Sequence, residues 1–386
     1  MKTKEKYGQY FTTNNGLKSK IFEFILNNPK VILEPSIGRG DLVDFIITKN
    51  PHITFDMYEI DNDIKLLDNI DKNKVIYGDF IRQVITTTYK TIIGNPPYIR
   101  TKKGNLYLDF IEKCYNLLEE NGELIFIVPS DFFKLTKAAI LLDKMMNEGS
   151  FTHIYNPYSE KLFEKANIEI IIFRYCKNSF IEKIVIYNDK NLHIINNKGL
   201  ITFEEIKNDI KQTTFENYFN IYVGLVSGKD EVYKNKELGN IEVITAENNK
   251  EKYIYINSYP CENDNINNHL IKYKEQLISR GIRKFNENNW FEWGAMRNLK
   301  AINENYNKDC IYVHNLTRKK KIAFIGKVNY FGGGLLMLIP KNNYDINNLN
   351  KIVYYLNSHK FKHNFMSSGR IKIGHRQLSY SYLPAE

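Results

Sequence analysis

Short apolar segments recur through the first half of the chain, and a polar turn or a helix-like stretch follows each one. Their apolar residues are consecutive rather than alternate, which is typical of strands that are buried on both faces of a sheet. The stretches 40–48 and 107–119 have helical spacing and would cross between strands. The seven predicted strands are 31–33, 55–59, 75–77, 91–94, 124–128, 152–155 and 168–175.

This rhythm predicts an α/β domain with a doubly wound, mostly parallel sheet of seven strands. The last two strands have no long helix between them, so we expect them to pair antiparallel at one edge of the sheet. After residue 200 the rhythm stops, and the segments become rich in Asn, Lys and Tyr. We predict a boundary within 190–210, around the turn 196–199. It would separate a first domain, 1–200, from a second domain, 201–386, that mixes helices and short strands.

Composition narrows the class of protein. The 386 residues suffice for two domains, and 43% hydrophobic with 25% charged residues is typical of a soluble globular protein. The apolar runs are much shorter than a membrane span and the polar N-terminus shows no secretory signal, so we expect a cytoplasmic protein with no membrane partner. The four cysteines lack metal-ligand spacing, so we expect neither a metal site nor a disulfide framework.

The net charge of +10 favours a polyanionic partner, of which nucleic acid is the commonest. A chain rich in Lys, Asn and Ile that places lysine wherever solvent permits would carry the same charge. The net charge alone favours neither a polyanionic partner nor a lysine-rich solvated surface.

Acidic residues stand at the ends of three predicted strands. The turn 34–42 contains glycines that allow close approach of a ligand, Glu59 ends the second strand, and Asp79 with Phe80 follows the third. Glu59 could accept hydrogen bonds from both hydroxyls of a ribose, while Asp79 could accept one from an adenine amine. Each acid alone is more often a helix cap or a solvated turn. Together they converge on the crevice at the carboxyl edge, where such sheets bind ligands.

The tetrapeptide Asn95, Pro96, Pro97 and Tyr98 follows the fourth strand at the same edge. The prolines stiffen the turn and remove two backbone donors, which leaves the Asn95 amide oxygen and the Pro96 carbonyl as acceptors. Two acceptors that hold the hydrogens of an aromatic amine would free its lone pair to attack a methyl group. Tyr98 offers a ring on which a flat substrate can stack. The alternative is a rigid loop without chemistry.

The order of these motifs resembles the gamma group of amino-methyltransferases, the restriction-modification enzymes that methylate adenine in DNA. The segment 7–12 resembles the N-terminal cofactor-binding motif of the group, with Thr13 where a proline is usual. The resemblance covers 6–175 and implies a class I methyltransferase sheet, the methyl donor S-adenosylmethionine, and a flipped-out adenine. It implies Asn95, Pro96 and Tyr98 as catalytic residues. It implies a cofactor site formed by Tyr10, Phe11, Thr12, Glu34, Ser36, Gly38, Gly40, Glu59, Ile60, Asp79, Phe80 and Asn95.

The resemblance also implies how DNA is held. The segment 162–165 resembles the one that carries a second aromatic against the flipped base, so Phe163 would join Tyr98 with Lys165 beside them; Phe163 is equally consistent with a core position. In this group a C-terminal domain recognises the target, and 224–230 resembles a segment found early in such domains. No Asp or Glu occurs between 346 and 385. The cations expected to contact double-stranded DNA are Arg318, Lys319, Arg370, Lys372 and Arg376.

Three other interpretations remain open. Glutamine methyltransferases of release factors carry the same tetrapeptide but typically place a helical domain before the cofactor core. An RNA adenine methyltransferase is a related alternative, and a DNA-binding module without activity is a third. The resemblance allows for a restriction endonuclease that acts separately.

Overall fold

The computed structural model describes residues 8–101, 104–159, 161–163, 168–177, 183–205, 213–341, 348–367 and 369–383. The chain divides into two compact units, Met1–Asn208 and Asp209–Glu386. The helices of the first unit are α1 (Asn15–Glu23), α2 (Asp41–Lys49), α3 (Leu106–Asn116) and α4 (Ala139–Glu148). Its strands are β1 (Val31–Glu34), β2 (Thr54–Glu59), β3 (Val75–Tyr77), β4 (Tyr89–Gly94), β5 (Leu118–Pro129), β6 (Gly149–Tyr155), β7 (Ile170–Lys177), β8 (Ile184–Tyr187), β9 (Lys190–Asn197) and β10 (Leu200–Glu204).

In the described residues these strands form one mixed sheet with the order β10-β9-β8-β6-β7-β5-β4-β1-β2-β3. Strand β1 pairs in parallel with β2 on one side and with β4 on the other. The chain therefore winds outward in both directions from β1. A crevice opens beside the carboxyl ends of β1 and β4 in such a sheet, and this is where doubly wound folds bind their ligands.

Helices cover both faces of this sheet, which explains the consecutive apolar residues of its strands. On one face, Phe110 and Ile111 of α3 pack with α4 over Phe126 of β5. On the other face, Ile21 of α1 and Ile46 of α2 pack over neighbouring strand residues. Successive residues of a strand point to opposite faces, so a strand between two helical layers must be apolar at every position.

The seven predicted strands and both crossover helices occur where the sequence placed them. Strands β6 and β7 pair antiparallel as predicted, but they do not form an edge, because β7 lies between β5 and β6 and β8 continues the sheet beyond β6. The count of seven strands is also corrected to ten. The added strands are only half buried: in β8, Val185 is buried while Ile184 and Ile186 are exposed. Their pattern therefore lacks the continuous apolar runs of the central strands.

The chain divides after Asn208, inside the predicted range 190–210, but the turn around which the boundary was predicted belongs to the first unit. The turn 196–199, which the sequence marked as a linker, connects β9 to β10 as a hairpin within the first sheet. The positive φ of Lys198 and Gly199 produces this tight turn. Glycine and asparagine mark a hairpin as readily as a linker, and the division falls after Asn208 instead.

Among its described residues, the second unit contains three smaller sheets and short helices. Its helices are α5 (Phe215–Tyr218), α6 (Asp230–Tyr233), α7 (Asp264–Ile271), α8 (Lys274–Ile278), α9 (Leu299–Glu304), α10 (Leu349–Asn357), α11 (His359–His363) and α12 (His375–Tyr380). Its strands are β11 (Phe219–Val223), β12 (Ile241–Ala246), β13 (Asn249–Tyr253), β14 (Asp309–His314), β15 (Leu316–Thr317), β16 (Ala323–Lys327), β17 (Leu335–Pro340), β18 (Met366–Ser367) and β19 (Arg370–Lys372). The sheets have the orders β11-β17-β14-β16, β12-β13 and β15-β19-β18.

Helices α10 to α12 pack on the four-stranded sheet, while a separate core surrounds the indoles of Trp290 and Trp293. The buried Arg280 guanidinium donates hydrogen bonds to the carbonyls of residues 227, 277, 290 and 292, which ties the loops of this core together. Within the described ranges, no helix combines the length and apolar character that a membrane span requires.

Candidate functional site

A cavity of about 260 Å³ lies at the carboxyl ends of β1, β2, β3 and β4 in the first unit. Three strand-end residues that the sequence singled out, Glu59, Asp79 and Asn95, line it together. The predicted convergence of these side chains on one crevice is therefore present in the structure. The lining consists of Gly8, Gln9, Tyr10, Phe11, Pro35, Ser36, Gly38, Glu59, Ile60, Gly78, Asp79, Phe80, Asn95, Pro97, Ile99, Leu106 and Phe110.

The N-terminal segment 8–12 forms one wall of the cavity and is fixed at both ends. The Gln9 side-chain amide donates to Asp61 Oδ2 at 3.0 Å. The Asn95 amide nitrogen donates to the Tyr10 carbonyl at 2.7 Å and to Thr12 Oγ1 at 3.1 Å. These bonds join residues more than fifty positions apart, so the segment completes the site only when the sheet is already assembled.

The glycine-rich turn after β1 approaches this segment closely. Gly38 has a φ of +60°, and a Cβ at this position would lie 3.3 Å from the Phe11 ring. The Arg39 guanidinium lies 4.9 Å from the centroid of the same ring. Gly40, with a φ of +93°, begins α2 and packs against Ile70. The turn is thus shaped by close packing at Gly38 and by a helix start at Gly40.

Glu59 is buried and holds the turn in place. Its carboxylate accepts from the backbone N–H groups of Gly38 at 2.9 Å, Ile60 at 3.0 Å and Asp61 at 2.9 Å. Burial raises the pKa of Glu59, and these three hydrogen bonds oppose the rise because they favour the charged form. A carboxylate has about four lone-pair sites, so it keeps capacity for a ligand hydroxyl.

Asp79 has a capping role in addition to its place at the cavity. One oxygen accepts from the Ile81 N–H at 3.0 Å, and the carboxylate forms an ion pair with Arg82 at 3.2 Å. The following ring, Phe80, stacks on Phe110 of α3 with 5.5 Å between centroids and an interplanar angle of 20°. These two rings give the cavity a flat apolar wall that suits a planar group.

Asn95 has a fixed orientation. Its NH2 group is held by Tyr10 and Thr12, so its oxygen faces the other way and accepts from the Tyr98 hydroxyl at 2.6 Å. The same hydroxyl lies 3.0 Å from the Ile127 carbonyl, which offers it a second acceptor. A hydroxyl has a single proton, so Tyr98 can release the Asn95 oxygen and donate to Ile127 instead.

Four aromatic rings gather beside Asn95. Tyr98 contacts Tyr10, Tyr107 and Phe163 with centroid distances of 5.6, 6.0 and 6.4 Å. Tyr107 and Phe163 are only 2% and 5% exposed, whereas Tyr10 and Tyr98 are partly exposed. Burial raises the pKa of Tyr98 well above its usual value, so its hydroxyl stays protonated as a donor. Phe163 is therefore a core residue that contacts Tyr98, and its packing against a flipped base stays a prediction.

Several predicted residues lie behind the cavity rather than in its lining. Thr12 and Pro96 are buried, Tyr98 is partly exposed, and none of the three lines the cavity. Glu34 is 2% exposed, accepts from the Ser36 N–H at 3.0 Å, and has its pKa raised by burial to about 8. Burial of an acid favours its neutral form, so Glu34 carries a proton over much of the neutral range. Its position makes it a support for Ser36.

Other residues of the lining were not predicted. Leu106 and Phe110 belong to the helical spacing of α3, which predicted a crossover and nothing about the cavity. Gln9 lies in the segment 7–12 that resembles the N-terminal cofactor-binding motif, and its polar side chain could have marked it as a lining residue. The contact of Gln9 with Asp61 could not be predicted, because no motif or spacing in the sequence relates residues 9 and 61.

The predicted DNA-contacting cations of the second unit are exposed, except for one. Arg370 and Lys372 lie on β19, and Arg318 and Lys319 follow β15, which pairs with it. Arg376 is half-buried, with its guanidinium 5.3 Å from the Tyr380 ring. Lys165 falls outside the described residues. The His375 ring forms a hydrogen bond with the Ile221 carbonyl at 2.9 Å.

Comparison with known proteins relates the first unit to a defined family. Residues 39–163 match the family described as Eco57I restriction-modification methylase. The Type II methyltransferase M.HincII of Haemophilus influenzae is 34% identical over 222 residues, which cover 52% of this chain and 42% of that protein. Type II methyltransferase M.MjaIV of Methanocaldococcus jannaschii is 34% identical over 134 residues, 34% of this chain and 42% of that protein. The chain thus spans less than half the length of these relatives.

A ribosomal RNA small subunit methyltransferase A from Onion yellows phytoplasma is 32% identical over 111 residues, covering 26% of this chain and 41% of that protein. Among solved structures, the DNA complex of the Type IIL restriction-modification enzyme MmeI has a TM-score of 0.61 at 10% identity, with 95% of this chain and 65% of that chain covered. At this identity the likeness concerns the fold alone. By sequence, residues 39–163 are similar to the Eco57I restriction-modification methylase family.

Proposed function

We propose that this protein transfers a methyl group from S-adenosylmethionine to the exocyclic amine of an adenine in duplex DNA, as part of a restriction-modification system. The observation that carries the proposal is the fixed Asn95 amide. Its NH2 group is held by Tyr10 and Thr12, so its oxygen is an acceptor between the cavity and the aromatic cluster. An acceptor in this position suits a planar NH2 substrate.

The residues that line the cavity fit the proposed cofactor. S-adenosylmethionine supplies an electrophilic methyl group on a positively charged sulfur. Glu59 keeps about one lone pair for a ribose hydroxyl, Asp79 keeps one for an adenine amine, and Phe80 with Phe110 offers a flat wall for the adenine ring. Gly38, whose left-handed backbone and close contact with the Phe11 ring disfavour a side chain, keeps the turn in the shape that lines the cavity.

Asn95 and Pro96 would act directly on the target amine. Their two oxygens accept its two hydrogens, which pulls the nitrogen lone pair out of conjugation with the ring and directs it at the methyl group. For this, Tyr98 moves its hydroxyl proton from the Asn95 oxygen to the Ile127 carbonyl. No strong base is needed, because the alkylated nitrogen is cationic and its proton is acidic. The proton leaves along the same acceptors to solvent.

A base inside a duplex cannot reach Asn95, so base flipping is part of the proposal. Exposed cations of the second unit would bind the backbone phosphates of DNA; they are Arg318, Lys319, Arg370 and Lys372. The family matched by residues 39–163 supports DNA as the substrate.

The decisive test is methyl transfer from labelled S-adenosylmethionine to three acceptors offered separately: mixed-sequence duplex DNA, ribosomal RNA and a release factor. Nucleoside analysis of the DNA should show methylated adenine, and Asn95→Ala should abolish the label. The RNA acceptor matters because a relative is named a ribosomal RNA methyltransferase. Label confined to RNA, to protein or to cytosine would refute the proposal.

A further inference from the structure

We propose that the side chain of Tyr10 is a placeholder for the target base. Its ring covers the stacking face of Tyr98 and moves away when the flipped base enters. This inference rests on the proposed function. It also changes the role of Tyr10, which the sequence resemblance assigned to the cofactor alone.

The geometry around Tyr98 points to Tyr10. The rings of Tyr10 and Tyr98 are stacked, with an interplanar angle of 26°. Tyr107 and Phe163 meet Tyr98 edge-on, at 83° and 70°. A planar base that stacks on Tyr98 needs the near-parallel position, which the Tyr10 ring holds. The proposed target site is therefore filled by a side chain of the protein.

The ring of Tyr10 can leave without disturbing the rest of the site. Asn95 is held by the Tyr10 carbonyl, which belongs to the main chain, and Gln9 and Thr12 hold the segment on either side. Rotation of the side chain leaves all three bonds intact. Within the described part of the chain, the Tyr10 hydroxyl forms no hydrogen bond, so nothing polar opposes the rotation.

The other rings of the cluster cannot move as easily. Tyr107 and Phe163 are buried in the core, and Tyr98 is bonded through its hydroxyl to Asn95 or Ile127. Stacking between one pair of aromatic side chains is a weak contact, and stacking of a base on an aromatic ring is at least as favourable. A base can therefore replace the Tyr10 ring at little net cost.

Steady-state kinetics of Tyr10→Ala and Tyr10→Phe test the inference, with duplex DNA that contains the site found modified in the methylation assay. Removing the ring removes a competitor, so Tyr10→Ala should lower the KM for DNA by about two- to tenfold, the equivalent of one aromatic pair. Because Tyr10 also lines the proposed cofactor cavity, the KM for S-adenosylmethionine should equal or exceed that of the wild type, and the diagnostic result is the fall in the KM for DNA. Tyr10→Phe keeps the ring and should restore the wild-type KM for DNA.

Two other results would overturn the inference. If Tyr10 is a permanent wall of the base pocket, the alanine variant will have a raised KM for DNA. If it serves the cofactor alone, the KM for S-adenosylmethionine will rise while the KM for DNA stays constant. Wild-type protein that methylates no DNA would refute the proposed function and this inference together, whereas normal methylation with either of these KM patterns refutes only the inference.

A second measurement follows the ring itself. With 3-fluorotyrosine incorporated at position 10, the fluorine resonance should shift when the same duplex and S-adenosylhomocysteine bind, because the ring leaves Tyr98. The same label at position 175 is the control and should not respond, since Tyr175 is fully buried and its ring contacts Tyr115 and Phe151 rather than the cluster around Tyr98. An unmoved signal at position 10, in a sample that binds the duplex, contradicts the displacement.

Discussion

Replacing Asn95 by alanine separates two tasks that the structure gives to one side chain. Its oxygen faces the proposed target amine, and its nitrogen holds the segment 8–12 through the bonds at 2.7 and 3.1 Å. Loss of one preorganised polar partner of a reacting group costs about 2.7–4 kcal/mol, or 100- to 1000-fold in kcat. Loss of two neutral hydrogen bonds costs about 1–3 kcal/mol. The variant should therefore lose far more turnover than cofactor affinity.

The matched control is Thr12→Val, which has nearly the same shape. It removes one bond to the Asn95 amide and leaves the amide oxygen in the site. One bond contributes about 0.5–1.5 kcal/mol, so cofactor Kd should rise about two- to tenfold and kcat should change by less than about fivefold. Asn95→Ala should raise the Kd by about tenfold.

The assay combines single-turnover methylation at saturating labelled S-adenosylmethionine with calorimetric titration of the cofactor. Equal losses of kcat in Asn95→Ala and Thr12→Val would refute the reasoning, because they would show that Asn95 acts only by anchoring the segment. A loss of cofactor affinity in Asn95→Ala as large as the loss of turnover would do so as well.

Phe110→Ala removes the ring stacked on Phe80 and should weaken cofactor binding about two- to tenfold in calorimetry; unchanged affinity would exclude this wall from the cofactor site. Burial raises the pKa of Glu34 from 4.5 to about 8, so the folded chain binds the proton more tightly and the free energy of unfolding falls as pH rises between these values. Thermal unfolding of Glu34→Gln should have a flatter pH dependence across this window, and an identical profile would contradict it. Arg370→Glu should weaken DNA binding and reduce the salt dependence measured by fluorescence anisotropy, whereas Lys300→Glu, an exposed cation already paired within its helix, should not; equal effects would argue against a specific DNA-binding face.

The central part of the first unit was predictable because strands that are buried on both faces have continuous apolar runs in the sequence. Strands β1 to β7 lie under two helical layers, so nearly every residue of the inner strands is apolar. The added strands β8 to β10 have one face open to solvent, as the exposed Ile184 and Ile186 show. A half-buried strand with lysine and asparagine resembles a loop, and a hairpin turn resembles a linker.

The part of the candidate site that was predictable consists of residues that directly follow the ends of strands. Glu59, Asp79 and Asn95 meet because parallel strands that share an edge carry their following residues to the same place. The contacts made by Gln9 with Asp61 and by Phe80 with Phe110 depend on how elements distant in sequence pack. No periodicity or spacing encodes such a contact.

The segment 8–12 shows why a short motif can serve two neighbouring sites. The Tyr10 carbonyl orients Asn95, whereas the Tyr10 ring covers Tyr98, so the main chain and the side chain of one residue have separate functions. A carbonyl is present whatever residue stands at position 10, and orientation of Asn95 therefore does not require tyrosine. The ring must then be explained by its surroundings: it lines the cavity, and its aromatic contacts are Tyr98 and Phe163. This is the reason that a change confined to the Tyr10 side chain reports on the target base, while a change at Thr12 reports on the anchoring of Asn95.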